Sequence, residues 1–179
     1  MTHKEVQQIA KDTINYARNI IHSGMTLVEL RTICENKMLE SGADSFWYWN
    51  IGAFVFCGKE TSLSVSGKNY ITSNSIIKEN DIITIDLSPQ CGNIWGDYAR
   101  TIIIQNGIPV DLSNCTNQEW NNGLLMEEKL HSIMKNFVTQ DTTFEQLFFY
   151  INDFITANGY VNNDFLGNLG HSIEKNIND

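Results

Sequence analysis

Two stretches of this chain open and close in the same way 117 residues apart, and that repeat narrows the folds open to it. Thr26, Glu29, Leu30 and Gly42 in the first answer Thr143, Gln146, Leu147 and Gly159 in the second, with eleven residues between leucine and glycine in both. Thr-x-x-Glu/Gln is a capping box, in which the hydroxyl and the carboxylate or amide satisfy free N–H groups at a helix start. The glycine suits the left-handed residue that closes a helix. Downstream, Asn50-Ile-Gly52 answers Asn168-Leu-Gly170 with one residue of slippage. Two unrelated capped helices can share these features. Their common order favours an internal duplication, a domain of two related halves at 1–110 and 111–179. The first half is expected to end in a β-hairpin at about 81–104. The second reaches Asp179 before an equivalent hairpin, so the chain is expected to be cut short at its C-terminal end.

Between the repeats the periodicity changes. Val6, Ile9, Ile14, Ala17, Ile20 and Ile21 predict a first helix over about 4–22, ended near Gly24. From Phe46 to about Ile104 the runs are short and β-branched or aromatic. Ala53-Phe-Val-Phe56, Asp81-Ile-Ile-Thr-Ile-Asp-Leu87 and Tyr98-Ala-Arg-Thr-Ile-Ile-Ile104 read as strands. Thr116-Asn-Gln-Glu119 reads as a further capping box opening a helix to about Val138. The whole is an α+β domain. At 179 residues and 42% hydrophobic it has enough apolar side chain for one core.

Composition removes several function classes. A net charge of −9 opposes nucleic-acid binding, which needs a basic surface. Ile51–Cys57, the most apolar run, is too short to span a bilayer, and the polar N-terminus has no apolar leader core. Cys34, Cys57, Cys91 and Cys115 form no C-x-x-C pair and read as thiols of a reducing cytoplasm.

Two aspartates are the candidates for chemistry. Asp86 ends Ile-Thr-Ile-Asp and Asp97 begins Gly-Asp-Tyr-Ala-Arg, with Ser-Pro-Gln-Cys-Gly-Asn between them. A turn between Cys91 and Gly92 would set the two carboxylates directly opposite each other, about 5 Å apart at Cβ. Like charges at that distance call for a cation, a shared proton or solvent, and a divalent metal is the productive answer. The alternative, in which the two never meet, stays open at this level. His171, in Asn168-Leu-Gly-His-Ser-Ile, follows the glycine of the repeat and suits a strand aiming one side chain at a site. Nitrogen and carboxylate ligands together favour Mn, Fe, Co or Zn over Mg or Ca. His3, His22 and His131 read as structural. Phe46-Trp47-Tyr48-Trp49 reads as core, with a substrate-pocket wall as the alternative.

An Asp closing a strand, a second Asp eleven residues on in Gly-Asp-Tyr-Ala-Arg-Thr, and a later Gly170-His171 resemble the methionine aminopeptidase, Xaa-Pro peptidase and creatinase family over residues 5–179. The resemblance implies a duplicated pita-bread fold and two divalent metal ions. Asp86 would chelate one, Asp97 would bridge both, and His171 would bind the second. A metal-bound hydroxide would attack the amide carbonyl. The family's two closing glutamates would lie beyond Asp179, and Glu174 is too near His171 to replace them. Ser66 stands where the family carries a substrate-side histidine before the first metal Asp, and Asn178 where it carries a second. The expected function is a cytoplasmic metal-dependent aminopeptidase or Xaa-Pro peptidase acting on a peptide or small amide, with weak or no turnover by this chain. A non-catalytic peptide- or protein-binding module and a creatinase-like C–N hydrolase are the alternatives. A homodimer is left open.

Overall fold

The computed structural model describes residues 1–164 and 166–173, arranged as two compact units: 1–111 with 172 and 173, and 112–171.

The first unit opens with two helices, α1 (His3–Ile20) and α2 (Leu27–Glu40). Thr2 and Glu5 form a capping box on α1, and Thr26 and Glu29 form the expected one on α2. The strands follow: β1 (Ser45–Phe46), β2 (Ala53–Cys57), β3 (Asp81–Leu87), β4 (Pro89–Cys91), β5 (Ile94–Trp95), β6 (Tyr98–Gln105) and β7 (Ile108–Val110). They build a four-stranded antiparallel sheet in the order β2-β3-β6-β7 and a three-stranded one in the order β1-β4-β5.

Period-two alternation along β3 turns Ile83, Ile85 and Leu87 to the core and leaves Ile82, Thr84 and Asp86 half-buried on the other face. The core face packs with Val55 of β2, Ile102 and Ile104 of β6, Ile9, Ile14 and Ala17 of α1, and Leu27, Leu30, Cys34 and Met38 of α2. The other face carries Asp86 and Thr84 beside a smaller apolar cluster of Ile51, Phe54 and Tyr70. The β6–β7 hairpin turns on Asn106-Gly107, both at positive φ (52° and 83°), the residue pair a two-residue type I′ turn favours.

The second unit holds α3 (Gln118–Phe137) and α4 (Phe144–Ala157). The expected capping box at Thr116 is not what starts α3. The Asn117 side chain accepts from the Trp120 N–H instead. Asn caps at least as well as Thr, and moving the cap one residue leaves Glu119 out of the position from which it could reach back. The box at Thr143–Gln146 forms as expected.

The two helices that open with the repeated capping box match closely. α2 and α4 are both 14 residues long and end alike, Ser41 at φ −85° ψ 0° and Asn158 at φ −95° ψ 9°. Gly42 and Gly159 follow at φ 105° and 81°. The strand expected around His171 is not observed: 161–164 and 166–173 hold turn and irregular backbone. A strand needs a hydrogen-bonded neighbour, and no described strand pairs with this segment. Among the described residues no helix is long and apolar enough to cross a membrane.

Candidate metal centre on a bent hairpin

β3 and β4 are one line of chain, broken at Ser88, and β5 and β6 are another, broken at Gly96 and Asp97. Together they make a long hairpin shared between the two sheets. Its register is continuous across the break: Asp86 pairs with Ala99, Leu87 with Tyr98, Gln90 with Trp95 and Cys91 with Ile94. The Gly96 N–H donates to the Pro89 carbonyl at 2.9 Å, in step with that register.

The turn therefore falls on Gly92-Asn93, one residue later than the spacing of the aspartates suggested, and Gly92 takes φ 59°. Glycine enters this left-handed region without a Cβ penalty, which fixes the turn there. The consequence reaches the site. Asp86 faces Ala99 rather than Asp97, and Asp97 falls opposite Ser88, so the aspartates are diagonal rather than directly opposed. Asp97 lies two positions before Ala99, just outside β6; continued strand alternation would put it on the Asp86 face, at the roughly 7–8 Å spacing of diagonal neighbours. Both are half-buried.

The bend is held from three sides. Ser88 is buried; its hydroxyl donates to the Ile51 carbonyl, its N–H to Gly52 O at 3.0 Å, and its carbonyl accepts from Trp47 N at 3.2 Å. The Trp47 indole N–H donates to the Gly96 carbonyl at 3.0 Å while its ring packs on Trp95 at 4.1 Å. From α1, Gln7 bonds both main-chain groups of Asp97.

Beside Asp86 this face opens into a cleft of about 190 Å³, lined also by Tyr48, Phe54, Phe56, Leu63, Ser64 and Val65. That volume admits one side chain or a proline-sized ring. The aromatic run is thus divided: Phe46 packs against the core, Trp47 braces the hairpin, Tyr48 lines the cleft and Trp49 is 57% exposed. Trp49 and Asn50 both sit at positive φ (56° and 57°) in a turn closed by Ile51 N–H to Tyr48 O at 3.1 Å. For a residue as bulky as tryptophan that conformation is strained. Gly67 receives this turn: a Cβ there would meet Trp49 Cδ1 at 2.7 Å and Tyr48 Cδ1 at 3.0 Å. Ser66, beside it, is half-buried.

His171 is exposed and belongs to the second unit. Glu174 and Asn178 lie outside the described residues. Among the described residues no three His, Cys, Asp or Glu side chains come together as a metal-binding group. Gln7 and Ser88 are not singled out by the sequence, and Trp47 reads there only as core or pocket wall within its aromatic run, not as a brace. Each is set by contacts 36 to 90 residues away in the chain, for which local periodicity carries no signal.

The α+β architecture agrees with what comparison finds. The chain belongs to metallopeptidase family M24, whose profile matches residues 2–179. Its fold matches that of the X-Pro aminopeptidase from Thermotoga maritima MSB8 with a TM-score of 0.72 at 19% identity, over 88% of this chain and 40% of that one. The Xaa-Pro dipeptidase from Bacillus anthracis matches with a TM-score of 0.72 at 21% identity, over 88% and 40%. The prolidase from Pyrococcus furiosus matches with a TM-score of 0.72 at 18% identity, over 87% and 42%. These likenesses establish the pita-bread fold, and the chain spans about 40% of the length of these structures. No curated protein matches it.

Proposed function

We propose that this chain carries the first-half carboxylates of an M24 hydrolase that cleaves a peptide or small amide, at an N-terminal or Xaa-Pro bond. Asp86 and Asp97 are its metal-binding pair. The observation that carries this reading is the register of one hairpin, which sets Asp97 diagonal to Asp86 at its bend, where two carboxylates would be stabilised by a shared cation. Hard carboxylate oxygens suit Mn, Fe, Co or Zn in a site that also draws on a histidine. His171 is proposed as that ligand on the Gly170-His171 motif and family membership alone. A divalent cation held there supplies Lewis-acid polarisation of a carbonyl and lowers the pKa of bound water.

This chain's own residues do the rest. The aromatic wall of Tyr48, Phe54 and Phe56 takes an apolar side chain or ring of the substrate and keeps water from it. Ser66 is proposed as a substrate-side hydrogen-bonding group in place of an imidazole. The test is a titration with Mn²⁺ or Co²⁺ alongside cleavage of Met- and Xaa-Pro-peptides, for the parent, Asp86→Asn and Asp97→Asn. Each substitution is expected to weaken metal binding at least about tenfold, since each removes a charged ligand. Equal affinity in parent and both variants would rule the pair out as ligands.

A further inference from the structure

We propose that Gln7 is a positioning residue for Asp97, through which the N-terminal helix sets the geometry of the candidate metal pair; the inference rests on the metal reading of Asp86 and Asp97. Gln7 Nε2 donates to the Asp97 carbonyl at 2.6 Å, and Gln7 Oε1 accepts the Asp97 N–H at 3.0 Å. One amide side chain thus occupies both main-chain groups of a residue 90 positions away.

The need for it lies in the hairpin. Asp86 sits inside β3 with ladder partners on both sides, Phe54 and Ala99. Asp97 sits in the break between β5 and β6. The Gly96 N–H points toward β4, so the next residue's N–H and C=O point outward, to the side where β7 pairs only with Ile103–Gln105. Gln7 takes the place of the missing strand there.

The helix comes close enough because residue 96 is glycine. A Cβ on Gly96 would meet Gln7 Oε1 at 3.0 Å and the Gln7 backbone N and Cα at 3.3 Å. Val6 and Ile9, buried at 0% and 6% exposure on either side of Gln7, key this turn of the helix into the core. The clamp is therefore mounted on a rigid element. Without it, the φ and ψ of Asp97 are free to relax while Asp86 stays fixed, and the separation of the two carboxylates changes.

The experiment uses the 179-residue chain and Mn²⁺, with affinity read by electron paramagnetic resonance and Asp97 amide exchange by NMR. Gln7→Met is expected to weaken Mn²⁺ binding about tenfold, the scale of losses from groups that hold a ligand in place, and to speed exchange of the Asp97 N–H. Gln7→Glu keeps the acceptor and loses the donor, so its loss should be intermediate. Ile14→Val, a core change on the same helix, should lower the melting temperature and leave Mn²⁺ affinity unchanged. Parent-like Mn²⁺ affinity in Gln7→Met, or a loss that Ile14→Val reproduces, would overturn the positioning role and leave the metal reading standing. A parent chain that binds no Mn²⁺ would overturn both.

Discussion

Tyr70 shows how a single side chain can finish a sheet. β2 is an edge strand, and the Tyr70 hydroxyl accepts the Val55 N–H at 2.8 Å and donates to the Val55 carbonyl at 3.1 Å. Its ring packs on Phe54 and Phe56, the aromatic wall of the cleft, with centroids at 4.6 and 5.5 Å. Tyr70→Phe keeps the ring and strands a buried N–H, so urea unfolding should show a loss of about 1–3 kcal/mol. A loss below that range would mean that water reaches the edge. Cys34 makes the opposite point. It is wholly buried, and burial, reinforced by the charge of Glu35, pushes its thiol up to about 12. Only the thiolate is nucleophilic, so iodoacetamide at pH 8 should modify half-exposed Cys91 and Cys115 while Cys34 stays intact until the chain unfolds. Early labelling of Cys34 would contradict the packing of α2 on the sheet.

At the scale of elements, the helix starts are electrostatic as well as steric devices. The Thr26 N–H and then its hydroxyl donate to the Glu29 carboxylate, both at 2.8 Å, and hold its pKa below the ordinary 4.5. A depressed carboxylate pKa stabilises the fold above the ordinary value, and that contribution is lost as pH falls through the lowered one. The start of α2 should therefore loosen only below about pH 4.5. Glu29→Gln should flatten this part of the stability–pH curve. Urea midpoints measured from pH 3 to 7 would decide it, and an unchanged slope in the variant would show that the exposed carboxylate contributes nothing. Thr26→Ala removes the reciprocal partner and should cost about 1 kcal/mol at neutral pH.

Across the whole molecule the two units differ in how much they bury. The first packs both helices and the core face of its sheet around Ile83, Ile85, Leu87, Ile102 and Ile104, all at most 1% exposed. Among the described residues of the second, the buried hydrophobics are Met126, Ile151 and Ile155, while Phe144 and Phe149 are 79% and 55% exposed. Local stability follows buried apolar contact. Native-state hydrogen exchange should find β3 and β6 amides opening only with global unfolding, and α3 and α4 amides exchanging sooner. Equal protection in α4 and β3 would mean that the second unit is held by more than its own core.

The sequence by itself determined what local interactions decide. Threonine capping boxes started α2 and α4, and glycines ended them, because caps are satisfied within one turn of helix. Alternation sorted β3 into a core face and an Asp86 face, because successive side chains must point to opposite sides. Tertiary structure alone decided the register that moves Asp97 from opposite Asp86 to a diagonal position. One residue of turn shifts every pair in a hairpin, and the aspartates' spacing cannot show where glycine puts the turn. It also decided which residues brace the site. Gln7 and Ser88 are ordinary in their own neighbourhoods, and Trp47 is there one of four adjacent aromatics. They acquire a role only when packing carries α1 and the 45–52 segment against the bend, since a hydrogen bond across 90 residues leaves no trace in either stretch of sequence.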